Sequence, residues 1–559
     1  MGLNTFTKQF RPRLFKTLAA EKFELLIIGG GITGACIFRD AALRGIKVAL
    51  VEAGDFSSGT SSRSSKLIHG GLRYLKRLGF RLVRESCSER NLHLRLNKRL
   101  VKPIPFLLPV YKNQGESRAL LRIGMIVYDI ISGFKNYRFH KLLPRKQTLK
   151  LAPGIQGNDL CGSFLYYDAT VSDNRWTLET IKDGVRFNGT ALNYCPVIDL
   201  LKENDKINGV KVKENLTGTE FAIRAKCVVN ATGIFSDAIR RMDQLNLKST
   251  IKLSKGTHLV FDKTDVPLNV STAFYSPIDG RPLFLIKRDG RFLYGTTDHW
   301  ENGDPHFPKP GANEVDYLLE SLQQFMPEAR INREKVQFIY SGFRPLIHEG
   351  KINNKPSKVN REYCLEISDS GLISVMGGKL TTARIIAARV LKFVRKQTGK
   401  NGNCPSCKTH KIPIGGTNEE IAEGHAYWVK QCPELKKHFR LLFERYGKDA
   451  HNICAKALRM HMGNDPNPRA RAFWAELQYV CRNEMVCTLE DLMERRAGYL
   501  NWNPQKRLER LLAGGHIIKQ ELGLNEAEYL EQYENYKRHL EEFHSLSRLG
   551  IIESQMSAT

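Results

Sequence analysis

A glycine-rich turn near the amino terminus constrains the fold more than any other feature of the chain. Gly29-Gly-Gly-Ile-Thr-Gly34 follows an apolar run at residues 23–28 and precedes a helix-like segment at residues 35–43. Gly29 permits a tight turn, Gly31 lets the backbone approach a pyrophosphate, and Gly34 lets the helix pack closely on the strand. The spacing therefore predicts the nucleotide-binding end of a βαβ unit, since the helix N-terminus would face the phosphates.

A second apolar run, at residues 47–51, supports this interpretation. This run is followed directly by Glu52, whose carboxylate suits a ribose hydroxyl better than a 2′-phosphate. The turn serves both NAD and FAD, so the choice of dinucleotide has to come from other residues.

Two later apolar runs complete the predicted sheet. Lys226–Asn230 is followed by the small residues Ala231, Thr232 and Gly233, and Leu372–Met376 is followed by Gly377 and Gly378 and then by a helix-like stretch. Alternating patterns at 282–294 and 337–340 indicate antiparallel strands of an inserted domain. The sequence thus predicts an α/β fold with a discontinuous Rossmann-like nucleotide-binding domain, an inserted mixed-sheet substrate domain and a C-terminal helical domain.

The predicted boundaries follow these patterns. We expect a basic leader at 1–22, an oxidoreductase region at 23–400 and a helical domain at 401–559. Within the middle region, the nucleotide-binding segments are approximately 23–110, 150–250 and 360–400, and the substrate-binding segments are approximately 111–149 and 251–359. The leader carries four cations in its first 20 residues, which is compatible with a surface anchor, a disordered leader or a transit peptide.

Composition narrows the classes of partner and compartment. The 86 Lys and Arg residues against 58 Asp and Glu residues give a formal charge of +28, which favours an anionic partner. The 12 cysteines lack the density of a disulfide scaffold, which indicates a reducing compartment. Only the charge supports nucleic-acid binding, and no known nucleic-acid-binding module is evident, so we expect no nucleic-acid partner.

The segment from Thr60 to Tyr74 favours FAD. Its hydroxyl groups follow Glu52 closely and suit phosphate and flavin edges, while two glycines permit close backbone passage. The predicted cofactor contacts in this segment are Thr60, Ser61, Ser62, Ser65, Lys66, Leu67, Gly70 and Gly71. A polar surface loop would not explain why His69, Arg73 and Tyr74 cluster at its end.

Taken together, these motifs resemble those of the FAD-dependent glycerol-3-phosphate dehydrogenase family. The blocks are the glycine turn, Ser64-Ser-Lys-Leu-Ile-His-Gly-Gly-Leu-Arg-Tyr-Leu75, Val229-Asn-Ala-Thr-Gly233, Lys255-Gly-Thr-His258, Gly295-Thr-Thr-Asp298, Tyr340-Ser-Gly-Phe-Arg-Pro-Leu346 and Gly377-Gly-Lys-Leu-Thr-Thr382. The resemblance implies a FAD-binding domain of the glutathione-reductase and D-amino-acid-oxidase type. It also implies oxidation of sn-glycerol 3-phosphate to dihydroxyacetone phosphate, by hydride transfer from C2 to flavin N5, with electrons passing to membrane quinone.

The resemblance also implies roles for individual residues. A guanidinium fork suits a phosphate dianion, so Arg73, Arg344 and Arg361 are expected to contact substrate, with Tyr74 beside Arg73. His258 is the leading candidate for the base that accepts the C2 hydroxyl proton, with His69 as the alternate. Lys379 is expected near flavin and substrate, and Asp298 is expected to orient a base or a cation. Ala231, Thr232, Gly233, Gly378, Lys379, Leu380 and Thr381 are the remaining predicted cofactor contacts.

Membrane association is a further implication of the resemblance, since the family is monotopic. Residues 72–102 are basic with leucines at helical spacing, and 118–141 and 384–400 are similar mixtures. The resemblance places the protein in the cytoplasm, peripherally on the cytoplasmic face of the inner membrane, and is compatible with a homodimer. A core-facing helix remains the competing interpretation of residues 72–102.

Several alternatives remain open. Many family members carry Pro-Trp where this chain has Lys287-Arg288-Asp289, which puts the substrate wall in doubt. An oxidase using oxygen, a relative acting on amino or 2-hydroxy acids, and a non-enzymatic membrane-surface protein that holds FAD are the rival functions. Cys404 and Cys407 with His410 do not complete a tetrahedral set, so no metal site is expected.

Overall fold

The computed structural model describes residues 6–112, 116–347, 356, 359, 362–398, 405–460, 468–497 and 502–545, without the side chains of Arg73, Lys76, Arg77 and Pro468. The strands within these ranges are β1 Lys22–Phe23, β2 Leu25–Ile28, β3 Val48–Val51, β4 Leu67–Ile68, β5 Val101–Tyr111, β6 Lys141–Leu143, β7 Leu160–Val171, β8 Thr190–Leu192, β9 Val197–Glu203, β10 Lys206–Lys213, β11 Glu220–Ala225, β12 Val228–Asn230, β13 Ile251–Asp262, β14 Ser271–Tyr275, β15 Pro282–Arg288, β16 Arg291–Gly295, β17 His299–Glu301, β18 Val336–Ile347, β19 Tyr363–Ile367 and β20 Ile373–Gly377.

The helices in the same part of the chain are α1 Arg11–Ala20, α2 Ile32–Leu43, α3 Phe80–Leu96, α4 Arg118–Ile131, α5 Arg145–Leu151, α6 Asp173–Arg186, α7 Ser236–Asp243, α8 Ala312–Phe325, α9 Ala383–Gln397, α10 Asn418–Gln431, α11 Lys436–Tyr446, α12 Ala450–Arg459, α13 Pro468–Asn483, α14 Pro504–Leu522 and α15 Glu526–His544. A π-helical turn, Asp491–Arg496, lies between α13 and α14. No helix in the described ranges has the length and apolarity needed to cross a bilayer.

The apolar runs predicted from the sequence meet in one six-stranded sheet. Its order is β19-β20-β12-β2-β3-β8, and all pairs are parallel except β19 with β20. The strands β2, β3 and β12 are buried along their whole length, because helices cover both faces of a parallel sheet. The glycine turn therefore lies at the carboxyl end of a central strand, where α/β folds bind ligands.

A second, ten-stranded sheet carries the substrate side of the molecule. Its main path is β17-β13-β16-β15-β14-β5-β7-β4, with β18 paired to β13 and β6 paired to β7. The antiparallel strands expected at 282–294 and 337–340 are β15, β16 and β18 of this sheet. A separate four-stranded sheet, β1-β11-β10-β9, adjoins the nucleotide-binding region.

Two of the expected segment assignments are wrong. Residues 101–110 and 160–171 were assigned to the nucleotide-binding segments, yet they form β5 and β7 of the ten-stranded sheet. The two strands pair antiparallel along almost their full length, and this pairing satisfies their backbone groups in the larger sheet.

The basic leader is neither a disordered segment nor a surface anchor over residues 6–20. Leu14 and Leu18 of α1 are buried, and Phe6 is buried against Phe56. The Arg11 guanidinium is buried as well, where it forms an ion pair with Glu214. Apolar packing and a buried ion pair thus attach this segment to the nucleotide-binding region.

The C-terminal helices are joined to the nucleotide-binding region by a buried charge cluster. Asp55, four residues after the end of β3, accepts hydrogen bonds from Arg496 at 2.7 Å and from Arg495 at 2.5 Å. The Asn193 amide donates to the same carboxylate at 2.9 Å. Because removing one partner of a buried ion pair leaves an uncompensated charge, this cluster fixes the helical region in one position.

Candidate active site

A cavity of about 1490 Å³ lies between the six-stranded and ten-stranded sheets. Gly29, Gly31 and Glu52 line it from the first sheet, and His258 and Arg344 line it from the second. The cavity thus connects the predicted dinucleotide site with the predicted substrate residues.

The glycine turn has no room for side chains. A Cβ on Gly34 would lie 1.9 Å from the carbonyl oxygen of Gly29, and a Cβ on Gly29 would lie 2.7 Å from the carbonyl oxygen of Ala231. Gly29 also has φ of +108°, in the left-handed region. Gly31 caps α2, and the Ile32 N–H donates to Ser61 Oγ at 2.9 Å. The turn therefore directs the positive N-terminal end of α2 into the cavity, as a pyrophosphate requires.

Glu52 closes the turn from the next strand. Its carboxylate accepts the backbone N–H groups of Gly30 at 2.6 Å and Gly54 at 3.0 Å. Burial raises the pKa of this carboxyl, while the two backbone hydrogen bonds oppose that shift. The group lines the cavity and keeps acceptor capacity for a ribose hydroxyl.

Part of the hydroxyl-rich segment lines the cavity. Of its predicted cofactor contacts, the residues on the cavity wall are Thr60, Ser61, Ser65, Leu67 and Gly71. Thr60 donates its hydroxyl to the carbonyl oxygen of Phe343 at 2.7 Å, which fastens this segment to β18. The segment therefore joins the two sheets as well as lining the site.

Three predicted contacts in this segment do not reach the wall of the cavity. The Lys66 ammonium forms a buried ion pair with Asp173 at 2.6 Å and also bonds the Ser62 carbonyl oxygen at 3.0 Å, so both residues face away from the cavity. Gly70 makes room for Tyr128 instead of a ligand, because a Cβ there would lie 2.0 Å from the tyrosine hydroxyl.

The remaining predicted cofactor contacts all line the cavity: Ala231, Thr232, Gly233, Gly378, Lys379, Leu380 and Thr381. The His69 backbone N–H donates to Thr381 Oγ1 at 3.2 Å, which connects the hydroxyl-rich segment with the start of α9. The Lys379 ammonium lies 3.7 Å from the centre of the Tyr74 ring, a cation–π contact. His69 and Tyr74 line the same wall.

Arg344 is held in the cavity by its strand neighbours. The pairing of β18 with β13 places it opposite Ser254. Its guanidinium donates to Thr296 Oγ1 at 2.8 Å and lies 3.2 Å from Asp298 Oδ1. A Cβ on Gly256 would lie 2.1 Å from Arg344 Nη2, so this glycine provides the space for the guanidinium. Asp298 thus orients a cation, one of its two predicted roles.

His258 lies on β13 opposite Tyr340 of β18, with the two rings stacked 4.7 Å apart. Its Nε2 lies 2.9 Å from Ser65 Oγ, and in the described part of the chain its buried Nδ1 has no hydrogen-bond partner. Burial, with the charges of Arg344 and Lys66, holds the pKa of this imidazole well below 6.5. A neutral imidazole can accept a proton.

Sequence reasoning missed several residues that line the cavity. Arg281 donates to the backbone carbonyl oxygen of Asp298 at 2.8 Å. Thr296 was within a quoted block, and Arg63 was within the hydroxyl-rich segment, so both had a local signal. Glu490 and His539 come from the C-terminal helical region, where no motif indicated a site.

Two predicted substrate contacts fall outside the described part of the structure, and the residues that depart from the family pattern do not line the cavity. Arg361 lies outside the described residues, as does the side chain of Arg73. Lys287 and Arg288 do not line the cavity, because they bond the carbonyl oxygens of Asn269 and Val171 at the far end of β15. The departure from the family pattern therefore does not reshape the described wall.

This fold and this site define an FAD-dependent oxidoreductase. Residues 24–384 match the family described as FAD dependent oxidoreductase, and residues 407–529 match the C-terminal domain of alpha-glycerophosphate oxidase. The aerobic glycerol-3-phosphate dehydrogenase of Bacillus subtilis (strain 168) is 35% identical over 523 residues, covering 89% of this chain and 91% of the relative. The corresponding protein of Staphylococcus haemolyticus is 33% identical, covering 90% and 91%.

A solved structure supports the same assignment. The glycerol-3-phosphate dehydrogenase from Bacillus halodurans, complexed with FAD, has a TM-score of 0.79 and 30% identity, covering 96% of this chain and 98% of its own. The chain belongs to the family of FAD-dependent glycerol-3-phosphate dehydrogenases. The cradle of glycines around the N-terminus of α2 fits its cofactor, FAD.

Replacing Gly34 with alanine tests the cradle. A methyl group 1.9 Å from the Gly29 carbonyl oxygen forces the turn to shift, so we expect G34A to lose most of its bound FAD. The flavin-to-protein absorbance ratio of the purified protein measures this loss. Gly124→Ala is the matched control, because a Cβ there meets no atom within 4 Å. Full FAD content in G34A would contradict the assigned role of the turn.

Proposed function

We propose that the protein oxidises sn-glycerol 3-phosphate to dihydroxyacetone phosphate with its FAD and passes the electrons to a membrane quinone. The observation that carries the proposal is the shared cavity in which Arg344 and His258 face the same space as the glycine turn. Family membership and the names of the relatives support the substrate.

Substrate phosphate would be held by the cationic side of the cavity. The Arg344 guanidinium is 20% exposed, and its planar fork has the shape that suits two phosphate oxygens or a developing alkoxide. Its contacts with Asp298 and Thr296 fix its direction before substrate arrives. Arg73 and Arg361, predicted from the sequence, remain candidates for further phosphate contacts.

The proton of the C2 hydroxyl would pass to His258. Ser65 fixes one nitrogen of the ring, and stacking on Tyr340 fixes its plane. The neutral imidazole is ready to accept a proton, and the negative charge of bound phosphate would raise the pKa of His258 toward the working range. His69, which bonds Thr381 through its backbone, is the alternate base.

The cofactor side has its own source of positive charge. Bound FAD supplies the acceptor for the hydride that leaves C2. The Lys379 ammonium, held over Tyr74, lies on the cavity wall, where it would stabilise negative charge that develops there.

Anaerobic titration of the FAD-loaded protein with sn-glycerol 3-phosphate tests the function. We expect loss of the oxidised flavin absorption band. Arg344→Lys should lower kcat/KM about 10²–10³-fold, since one fixed fork of donors is lost. Arg333→Lys is the control, because Arg333 pairs with exposed Asp316. An unchanged spectrum with this substrate, together with bleaching by an amino or 2-hydroxy acid, would reassign the substrate.

His258→Asn tests the base. We expect the limiting rate of flavin reduction to fall about 10²–10⁴-fold. In the wild type, the second-order rate constant of flavin reduction at low substrate should stay constant from pH 6.5 to about pH 8, because the lowered pKa of His258 keeps the imidazole of the free protein neutral throughout. Stopped-flow measurement at saturating and at low substrate gives the two results, with half-buried His425→Asn, which does not line the cavity, as the control. A wild-type rate in H258N would transfer the role to His69.

The quinone part of the proposal rests on α4. Leu120, Ile123, Ile126 and Ile130 of this helix are exposed, with Ile123 at 59%, while Leu121 and Val127 of the same helix line the cavity. Large exposed apolar surface is rare on soluble proteins and marks an interaction site. A lipid-soluble acceptor at this helix would be next to the cavity without crossing water.

Cations surround this apolar surface. Arg118, Arg122, Lys135 and Arg138 are exposed on or just after α4, and Leu78, 73% exposed, lies across the cavity mouth. Each well-placed cation contributes about 1 kcal/mol of attraction to an anionic bilayer. We therefore place α4 on the anionic cytoplasmic face of the inner membrane. A homodimer remains a prediction from the sequence.

The helices of the other two basic stretches bury their apolar faces for the most part. In α3, Val83, Cys87, Arg90 and His93 are buried, which supports the core-facing interpretation of this helix. In α9, Ile386, Val390 and Val394 are buried against the nucleotide-binding core. The membrane role therefore passes to α4.

Charge substitution on α4 tests the docking surface. Ile126→Glu with Ile130→Glu should abolish sedimentation with phosphatidylglycerol vesicles and slow reduction of vesicle-embedded quinone at least tenfold, since carboxylates oppose both burial and anionic lipid. Anaerobic flavin reduction by substrate should not change, because neither residue lines the cavity. Leu245→Glu, at an 87% exposed site, is the control. Hydrogen peroxide release equal to substrate turnover would instead favour an oxidase.

A further inference from the structure

Three side chains with metal-binding atoms converge beside the cavity, outside the chemistry described above. Glu494 lies in the π-helical turn Asp491–Arg496, and His539 and His544 lie at the end of α15. One ligand atom from each residue lies within 4.8 Å of the others. The three side chains are 15%, 14% and 9% exposed, so most of the cluster is shielded from water.

The hydrogen bonding of His544 leaves one ring nitrogen available. Its Nδ1 lies 2.7 Å from the carbonyl oxygen of Ile339, and because a carbonyl only accepts, Nδ1 carries the hydrogen. In the neutral ring with its hydrogen on Nδ1, Nε2 carries the lone pair. This nitrogen lies 3.8 Å from Glu494 Oε2, too far for a hydrogen bond. Two electron-pair donors thus face each other across a gap.

Glu494 is oriented in the same way from behind. The Tyr536 hydroxyl donates to its Oε1 at 2.8 Å, and the Arg507 guanidinium contacts the same oxygen. Oε2 is therefore the oxygen directed at the histidines. Hydrogen bonds of this kind behind a carboxylate, and a backbone carbonyl behind an imidazole, are the outer-shell contacts that orient metal ligands.

His539 completes the cluster on the cavity side. Its ring centre lies 5.2 Å from that of His544, and its Nδ1 lies 3.8 Å from Glu490 Oε2. His539 and Glu490 both line the cavity. A fourth coordination position would thus be open to water from the cavity or to the Glu490 carboxylate.

We propose that Glu494, His539 and His544 bind one divalent transition-metal cation of the Zn²⁺ type. Two imidazoles and one carboxylate, with an open fourth position, are a ligand set that Zn²⁺ accepts. The cation would connect the π-helical turn to the end of α15, which packs on β18 through Ile339. Since β18 also carries Arg344, the site would stabilise the cavity wall without taking part in hydride transfer.

No sequence pattern indicated this site, and no metal site was expected. His539 and His544 are five residues apart, unlike the four-residue spacing that places two histidines on one helix face. Glu494 is distant in sequence, and only the packing of α15 against the π-helical turn brings the three together.

Zn²⁺ binding to the FAD-loaded protein tests the site. After treatment with a chelator, we expect equilibrium dialysis against ZnCl₂ to give one tightly bound Zn²⁺ per chain and a raised unfolding temperature. Glu494→Gln and His539→Gln should each lose this ion and the temperature shift. His425→Gln, at a half-buried position of α10, is the matched control and should retain both. Anaerobic flavin reduction should persist in the metal-free protein, because no ligand is a proposed catalytic residue.

Three outcomes would overturn the site. Absence of stoichiometric Zn²⁺ in the wild type is the first, and equal binding by the wild type and His539→Gln is the second. Glu494→Gln removes the carboxylate that pairs with the Arg507 guanidinium, which can prevent folding. In that case His539→Gln still tests the site. The third is an NMR signal from a protonated His544 imidazolium at neutral pH, ion-paired with Glu494, because a proton would then occupy the position proposed for the metal.

Discussion

The contact between Gly34 and the Gly29 carbonyl oxygen is the constraint on which the rest of the structure depends. With no side chain at either position, α2 begins directly at the end of β2, and its N-terminal amide groups point into the cavity. Glu52 then fixes the turn through two backbone hydrogen bonds. Any displacement of α2 would move the positive helix end away from the pyrophosphate site, so FAD binding and strand–helix packing share one geometric requirement.

The second sheet is positioned against this turn by polar contacts as well as by apolar packing. Thr60 reaches β18, Ser65 reaches β13, and the Tyr340 hydroxyl donates to the Ser64 carbonyl oxygen at 2.8 Å. One short segment thus lines the cavity and also sets the distance from the glycine turn to His258. Because hydrogen bonds require particular distances and angles, this arrangement fixes the reacting groups more narrowly than apolar contacts would.

The elements that could be predicted from the sequence were those with local signals. The glycine turn, the apolar strands and the motif containing Arg344 each carry their meaning within a few residues, and they lie where the sequence indicated. The local signal did not reveal that Lys66 pairs with Asp173 and that Gly70 packs against Tyr128, because these partners are distant in the chain. The strand β5 was assigned to the wrong sheet for the same reason, since only its pairing with β7 reveals its place.

Charge in the cavity connects substrate recognition to catalysis under the proposed function. Arg344 and Lys66, together with burial, depress the pKa of His258, which keeps the free site neutral at this residue but makes it a weak base. A bound phosphate dianion would offset those cations and strengthen the base when substrate is present. Phosphate would therefore contribute at the reacting carbon as well as to binding, which is how interactions remote from the reacting bond raise kcat. An unphosphorylated alcohol of the same size would find the cavity with its cations uncompensated and its base weak.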